Sequence, residues 1–440
     1  MARSIRFILC VLLAVLPLVA CSDGNEQELI EKYGNVETES DFIADIDWLE
    51  PETEYSYDGE DENIVAIYSE LYNRQGDRLY LQTKSGAANT YNYINLKTGE
   101  QFNLCPDPLC PHTRDSGCQF IDISCIQVSD DENIVYAVKY CFDDEAAWNQ
   151  ICELDLVNNT IKPIYGEKSL KRFDIYRPYF IADRKLYFET RRRNYPEEMI
   201  AAGVARDEVF LMELDLDTYE VRTFDNKYAA REYGSCIYAD DEYFFFSDSE
   251  RSRLFVTDRN FDNEQVVYDF PDNYQLTSPY YDNETDEFYC VIYSKFMTKL
   301  SDDGVTEGYI LRVDGDLNVE RLDTRSDLIL DMQLTRDYIY YTSYDPIEYG
   351  ISPRGGVCYD ESGGKIWRVP RDDVSAEPEL VFDGHGEFAF CMGYYAVGDC
   401  LYLDYSEIVQ ENGTGYFRWH GINARVNFVD NTIKWLTGSY

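Results

Sequence analysis

The chain has 440 residues, and its 83 acidic against 39 basic side chains give a formal net charge of −44 at pH 7. A field of this sign repels phosphate backbones, which excludes nucleic acid as an expected partner. The chain contains 39 Tyr and 23 Phe but only 6 Met, and this choice of apolar residues favours β-strands over helices.

The N-terminus has the layout of a secretory signal. Arg3 and Arg6 precede an apolar run over residues 7–19, and the sequence Leu18-Val19-Ala20-Cys21 follows. The run is too short for a spanning helix, and its end resembles a bacterial lipobox. The resemblance implies cleavage before Cys21 and diacylation of its thiol; the alternative is an ordinary signal peptide with a chance cysteine. We expect a signal peptide over residues 1–20 and an extracytoplasmic protein, lipid-anchored to the bacterial cell envelope through Cys21.

The next segment, residues 21–41, is polar and acidic and has few residues that could form a core. Such a composition is typical of a flexible tether. Residues 42–440 are then expected to form the folded domain. The more apolar stretch from Ile43 to Leu49 is a candidate strand at the start of that domain.

A short run of aromatic and β-branched residues recurs along the domain. The seven copies are RLYLQT from Arg78, NIVYAV from Asn133, KLYFET from Lys185, YFFFSD from Tyr243, FYCVIY from Phe288, YIYYTS from Tyr338 and CLYLDY from Cys400. They recur at intervals of roughly 45–62 residues, a period that predicts a propeller or solenoid array.

Each copy belongs to a larger unit of about four strand-like runs, which are separated by Asp, Asn and Gly. The sequence therefore predicts an all-β fold, a β-propeller of four-stranded antiparallel blades. Seven blades are the favoured number, and six or eight are alternatives if a terminal strand completes a blade. Radial repetition of this kind also protects the edges of the sheets.

Loop lengths distinguish two faces of the predicted propeller. We define the hairpin face by the turns that join first to second and third to fourth strands, and these turns are short. The loop face carries the second-to-third loops and the blade-to-blade connections. The second-to-third loops are long at about residues 191–208, 295–308, 345–364 and 406–415. Long loops on a rigid scaffold commonly carry binding sites.

Two of the long loops contain candidate ligand-binding residues. Basic and aromatic side chains could hold an anionic group or stack on a sugar or peptide; they are Arg191, Arg192, Arg193 and Tyr195 in one loop and Tyr349, Arg354 and Tyr359 in the other. The alternatives are a solvated basic loop for the first set and an irregular cover over the channel for the second.

A cysteine-rich connection lies between the first two units. Cys105, Cys110, His112 and Cys118 offer three thiols and one imidazole, which can fill a tetrahedral zinc shell. A shell without an open position would make the zinc structural. The alternative is a disulfide, which an extracytoplasmic location favours.

The lipobox, the Cys-x4-Cys-x-His-x5-Cys motif and the strand repeats together resemble a set of uncharacterised bacterial lipoproteins. These carry a domain of unknown function related to TolB-like β-propellers. The resemblance implies the fold and the compartment, and it brings no established activity.

We find no sequence signature of an enzyme. The chain has only His112, His385 and His420, and it contains no nucleophile elbow, paired-His zinc helix or phosphate loop. We assign no catalytic residue. The favoured hypothesis is a lipid-anchored envelope binding or scaffold protein that recognises a peptide, protein or saccharide. The alternative is an envelope glycoside hydrolase or polysaccharide lyase that uses paired carboxylates.

Overall fold

The structure of the protein is a computed structural model. It describes residues 64–66, 72–85, 88–129, 131, 133–142, 147–166, 173–192, 208–224, 235–240, 242–248, 252–272, 274–294, 308–322, 329–343, 365–383, 389–398, 400–410, 417–428 and 432–435. The predicted signal peptide, Cys21, the acidic tether and the strand from Ile43 to Leu49 lie outside these ranges. Among the residues in these ranges, no helix is both long and apolar enough to cross a membrane.

Seven sheets of four consecutive antiparallel strands form a ring, which is a seven-bladed β-propeller. Strand β1 (Ile64–Ala66) precedes blade 1, which contains β2 (Tyr72–Gln75), β3 (Arg78–Ser85), β4 (Ala88–Asn95) and β5 (Gln101–Asn103). A 3₁₀ turn over Arg114–Ser116 precedes blade 2, which contains β6 (Ile123–Val128), β7 (Ile134–Phe142), β8 (Ala147–Asp155) and β9 (Thr160–Tyr165). Blade 3 contains β10 (Phe173–Ala182), β11 (Lys185–Arg192), β12 (Glu208–Asp215) and β13 (Val221–Phe224).

Blade 4 contains β14 (Ser235–Ala239), β15 (Tyr243–Asp248), β16 (Arg253–Asp258) and β17 (Glu264–Asp269), and blade 5 contains β18 (Tyr274–Asp282), β19 (Glu287–Ser294), β20 (Gly308–Asp314) and β21 (Val319–Leu322). Blade 6 contains β22 (Ile329–Leu334), β23 (Tyr338–Ser343), β24 (Lys365–Pro370) and β25 (Glu379–Asp383), and blade 7 contains β26 (Ala389–Val397), β27 (Cys400–Gln410), β28 (Phe417–Asn427) and β29 (Thr432–Trp435). The seven predicted aromatic runs form the second strands of the seven blades, so the predicted fold class and blade number are confirmed.

Strand β1 occupies a place that the repeat does not predict. It pairs antiparallel with β18, with Val65 opposite Tyr281, and so adds a fifth strand to blade 5. Because β18 is the first strand of its blade, β1 lies on the channel side of that sheet. The segment before blade 1 therefore crosses to another part of the ring.

Apolar contacts between neighbouring blades hold the ring together. Six clusters of buried side chains bridge blades 1 and 2, 2 and 3, 3 to 5, 5 and 6, 6 and 7, and 7 and 1. In the last of these, Leu79 and Ile94 of blade 1 pack with Val397 and Tyr402 of blade 7. Blade 7 takes its four strands from the C-terminal part of the chain, so among the described strands packing rather than strand exchange joins it to blade 1.

One position repeats in every blade interface. The third residue of the second strand is a tyrosine in six blades and a phenylalanine in blade 4, and all seven are buried: Tyr80, Tyr136, Tyr187, Phe245, Tyr289, Tyr340 and Tyr402. We call the six tyrosines the second-strand tyrosines. A buried hydroxyl needs a hydrogen-bond partner. Tyr187 donates to Glu213 Oε2 at 2.8 Å, and Tyr289 donates to Glu287 Oε2 at 2.8 Å.

At two of these tyrosines, an arginine from the following blade also contacts the hydroxyl: Arg259 contacts Tyr187, and Arg371 contacts Tyr289. Arg371, at the third-to-fourth turn of blade 6, donates to the Tyr289 hydroxyl at 3.3 Å and lies 2.6 Å from Asp282 and 3.0 Å from Glu287. Its guanidinium carbon is 5.1 Å from the Tyr289 ring centroid. Burial opposes ionisation of Asp282, but the Glu284 N–H and Arg371 outweigh it and hold the pKa of the Asp282 carboxyl below its ordinary value. Similar contacts lower the pKa of Glu287 against the effect of burial.

The backbones of blades 5 and 6 approach each other closely at Gly308. We therefore predict that substitution of this glycine destabilises the protein. A Cβ at Gly308 would lie 2.0 Å from the Ile329 carbonyl oxygen and 2.8 Å from its nitrogen. We expect Gly308→Ala to reduce the free energy of unfolding by about 2–3 kcal/mol, because backbone cannot move aside without repacking. Urea denaturation measures the change. Gly315→Ala is the control, because a Cβ there meets only the Asp286 carboxylate; equal losses in the two variants would contradict the interpretation.

The Arg371 network predicts acid sensitivity. Replacement by Gln should cost about 3 kcal/mol, since it leaves the buried Asp282 carboxylate without its cation and Glu287 with Arg312 alone. Because the pKa values of Asp282 and Glu287 are lowered on folding, their contribution is present above the unfolded values of about 4 and is lost as the pH falls below them. Arg371→Gln should therefore flatten the pH dependence of the urea midpoint between neutral pH and about pH 3. The control is Arg184→Gln, which removes an exposed pair with Asp217 and should cost under about 1 kcal/mol. An unchanged pH profile in Arg371→Gln would refute the network's role.

Candidate functional site

The predicted cysteine connection joins β5 of blade 1 to β6 of blade 2, and both of its ends are fixed. Leu104 and Phe120 are buried in the cluster between these blades, and Cys105 and Cys118 pack against it. Arg114 donates through Nε and Nη2 to the Asp122 carboxylate at 2.8 and 2.6 Å. A bidentate pair of this kind fixes geometry as well as charge.

Local backbone conformations turn the ligating side chains toward one another. The Cys110 N–H donates to the Asp107 carbonyl at 3.1 Å, which closes a tight turn. His112 has φ 52°, in the left-handed region, and Gly117 has φ 68° at the end of the 3₁₀ turn. Positive φ reverses the chain over a few residues. Four ligands from a short segment can therefore face a common centre.

Cys105, Cys110, His112 and Cys118 form one compact cluster. Their ligand atoms all lie within 4.8 Å of one another, and Cys118 Sγ is 3.9 Å from His112 Nδ1. Zinc–sulfur bonds of about 2.3 Å in a tetrahedron place neighbouring ligand atoms about 3.8 Å apart. The three sulfurs are free thiols rather than a disulfide. The cluster therefore has the donors and the spacing to bind a metal ion.

Two of the thiols differ in their readiness to ionise. Burial raises the pKa of the Cys118 thiol to about 12. The pKa of the Cys110 thiol is lowered, chiefly by a hydrogen bond from the His112 backbone N–H. Burial and the two neighbouring thiols thus oppose ionisation of Cys118, and a divalent cation would supply the compensating charge.

The other predicted site residues do not join this cluster in the described part of the chain. Arg191 and Arg192 are the last residues of β11, where they pair with Val209 and Glu208 of β12. The structure describes their backbone but not their side chains. The remaining candidates in the long loops lie outside the described residues; they are Arg193, Tyr195, Tyr349, Arg354 and Tyr359.

The structure also contains a charged cavity that the sequence analysis missed. It measures about 560 Å³ and lies on the hairpin face between blades 5 and 6, where Arg371, Arg312, Asp282, Glu287 and Tyr289 are among its lining residues. One sequence signal was available, because Arg371 directly follows the third strand of its blade just as Arg259 does in blade 4. The sequence analysis expected binding sites on the loop face, because its loops are long. The hairpin face, whose turns are short, also contains a cavity.

Comparison with known proteins gives structural neighbours at low sequence identity. Oligogalacturonate lyase from Vibrio parahaemolyticus matches with a TM-score of 0.49 and 13% identity, over 77% of this chain and 86% of that chain. The β-propeller domain of the Trilobed protease from Pyrococcus furiosus matches with a TM-score of 0.47 and 14% identity, over 85% and 97% of the two chains. An uncharacterized protein from Listeria monocytogenes matches with a TM-score of 0.40 and 12% identity, over 87% and 98%. No protein-family profile matches the chain, and a search of curated proteins gave no match.

The cluster geometry predicts one metal ion per chain. We expect Co²⁺ to give the absorption bands of tetrahedral thiolate coordination, and Cys118→Ser to lower metal affinity by more than about 100-fold, since even the loss of an outer hydrogen bond to a ligand costs 10–100-fold. Competition with a chromophoric chelator measures the affinity. Cys141→Ser is the control, because this half-buried thiol lies outside the cluster. Equal affinity in the two variants would refute the assignment.

Proposed function

We propose that the protein is a lipid-anchored, extracytoplasmic binding or scaffold protein whose loop face recognises a peptide, a protein partner or a saccharide. One structural zinc ion, held by the four Cys/His ligands, fixes part of that face. The observation that carries the proposal is the convergence of these four ligands within 4.8 Å on a blade-to-blade connection. Attachment to the membrane through the lipidated Cys21 comes from the lipobox alone.

The donor set supports a structural ion. Three thiolates and one imidazole complete a tetrahedral shell and leave no position for a reacting water molecule. The zinc would instead stiffen the loop between Leu104 and Asp122 at a point where its backbone makes few strand contacts. Cys105, Cys110, His112 and Cys118 would each supply one ligand atom.

The position of the connection supports binding at the loop face. In an antiparallel blade, the end of the fourth strand and the start of the next blade lie on the same face as the second-to-third loops. Leu109, between the first two cysteines, is 90% exposed. Anchored loops on a rigid scaffold commonly carry binding surfaces, and Leu109 would supply an apolar contact in this one.

Six carboxylates of the hairpin face are poorly suited to hydrolysis, because they already have partners within the fold. Asp155, Asp215, Asp258 and Asp314 accept backbone N–H groups of their own turns, and these contacts hold their pKa values below the ordinary range. Asp282 and Glu287 pair with Arg371. A glycoside hydrolase or polysaccharide lyase would need a free pair of acids at the end of the channel. These six carboxylates are engaged in maintaining the fold.

The proposal predicts that partner binding depends on the zinc loop. On a peptide and glycan array, we expect a wild-type signal that falls at least about 10-fold in Leu109→Asp, since a charge replaces the apolar side chain that the zinc loop exposes. Cys118→Ser should give a similar loss without unfolding the propeller. Val157→Asp is the control, because Val157 is an exposed apolar residue on the hairpin face. A hit that all three variants retain would place the binding surface elsewhere, and turnover of an array glycan would favour the enzyme alternative.

A further inference from the structure

A second cavity, of about 470 Å³, lies on the hairpin face between blades 4 and 5. Its wall contains the aromatic residues Phe245 and Phe288, and its rim belongs to the first-to-second turns of both blades and the third-to-fourth turn of blade 5. None of these residues belongs to the cysteine connection, which lies on the opposite face. The cavity is therefore a separate feature of the molecule.

In the two neighbouring blade interfaces, an arginine side chain lies at the position that corresponds to this cavity. Between blades 3 and 4, the guanidinium carbon of Arg259 lies 5.2 Å from the Tyr187 ring centroid and 4.2 Å from the Phe244 ring centroid. Between blades 5 and 6, Arg371 lies in the same way over Tyr289. Arg259 and Arg371 each come directly after the third strand of their own blade. At both interfaces an arginine thus covers the third residue of the preceding blade's second strand.

The interface between blades 4 and 5 keeps the aromatic rings but lacks the arginine. Phe245 stands where Tyr187 and Tyr289 stand, and Phe288 stands where Phe244 stands. The residue directly after the third strand of blade 5 is Gly315. The cavity lies beside Gly315 and both rings, so no side chain reaches the rings from this position, whereas an arginine does so at the corresponding position on either side.

The cavity is negatively charged, whereas the side chain that is missing from this interface is a cationic arginine. Five carboxylates line it, and no lysine or arginine does; the five are Asp240, Glu242, Asp286, Asp314 and Asp316. Within the described part of the chain, none of the five lies within ion-pair distance of a basic side chain. The arginines of the two neighbouring interfaces, in contrast, pair with Glu213 and with Asp282 and Glu287.

Two of the carboxylates are held at the cavity by hydrogen bonds. Asp240 Oδ1 accepts the N–H groups of Glu242 and Tyr243 at 2.8 and 2.6 Å, and Asp286 Oδ1 accepts the Tyr281 hydroxyl. A Cβ at Gly315 would lie 2.1 Å from Asp286 Oδ2, so the glycine gives this carboxylate its place. Burial and the nearby Asp286 raise the pKa of Asp240, which is the effect of anionic groups held together without a cation.

We propose that this cavity binds an arginine side chain of a partner protein, with its guanidinium against the stacked pair of phenylalanine rings and paired with Asp286 and Asp240. Charge complementarity and the matching arginines of the neighbouring interfaces select this occupant. A guanidinium combines stacking on an aromatic face with planar, bidentate hydrogen bonding to carboxylate. The site goes beyond the proposed function, because it lies on the opposite face and requires no zinc.

The test uses capped tripeptides, Gly-Arg-Gly and the same peptide with citrulline or lysine in place of arginine, in titrations followed by calorimetry or ligand-detected NMR. We expect saturable binding of the arginine peptide. The citrulline peptide, which keeps the shape but loses the charge, should bind at least about 10-fold more weakly, a difference of about 1.4 kcal/mol. Equal binding of the arginine and citrulline peptides would overturn the proposal, and equal binding of the lysine peptide would overturn the assignment to a guanidinium.

Three variants locate the binding. Asp286→Asn should weaken arginine-peptide binding at least about 10-fold, whereas Asp272→Asn, which removes the same charge from an exposed position on the loop face, should change it less than about 2-fold. Gly315→Arg places an arginine at the position that Arg259 and Arg371 hold in the neighbouring interfaces; its Cβ displaces the Asp286 carboxylate, and we expect a folded protein that has lost peptide binding. Retention of binding in a folded Gly315→Arg protein would refute the cavity as the site.

Discussion

Packing of one blade against the next is the interaction on which the rest of the structure depends. A single four-stranded sheet exposes two faces and cannot bury its own aromatic side chains, so each blade gains its stability from both neighbours. Buried clusters bridge every pair of adjacent blades, including blades 7 and 1. Because packing alone joins the last blade to the first in the described strands, the closure relies on Leu79, Ile94, Val397 and Tyr402.

The packing of the second-strand tyrosines explains why the repeated strand run is aromatic. Their hydroxyl contacts explain why tyrosine recurs at this position. The ring fills the space between blades, and the buried hydroxyl needs a hydrogen-bond partner, which five of the six tyrosines have. Different blades meet that need with different residues: Glu153 for Tyr136, Glu213 and Arg259 for Tyr187, and Glu287 and Arg371 for Tyr289. Blade 4 avoids the need, because Phe245 has no hydroxyl and faces Val256 across the strand pair. The cavity between blades 4 and 5 lies at this exception.

The two faces of the ring differ in how their sites are built. The cysteine cluster on the loop face comes from one short connection, whose turns and anchors to blade 2 bring its four ligand atoms together. The cavities on the hairpin face lie between blades, and each takes side chains from turns of two neighbouring sheets. A local site of the first kind can form wherever its loop is anchored. A site of the second kind exists only when the two blades that line it are packed against each other.

The amino-acid sequence by itself determined the strand repeat, favoured seven blades over six or eight, and singled out the four members of the cysteine cluster as metal ligands or disulfide partners. These features are local, since strand alternation and ligand spacing are properties of neighbouring residues. Only the tertiary structure decided that β1 pairs with blade 5, that Arg371 reaches Asp282, and that Phe245, Asp286 and Gly315 surround one cavity. Those residues come from different strands or blades, and their proximity depends on how each sheet packs against the next, which no short stretch of sequence encodes.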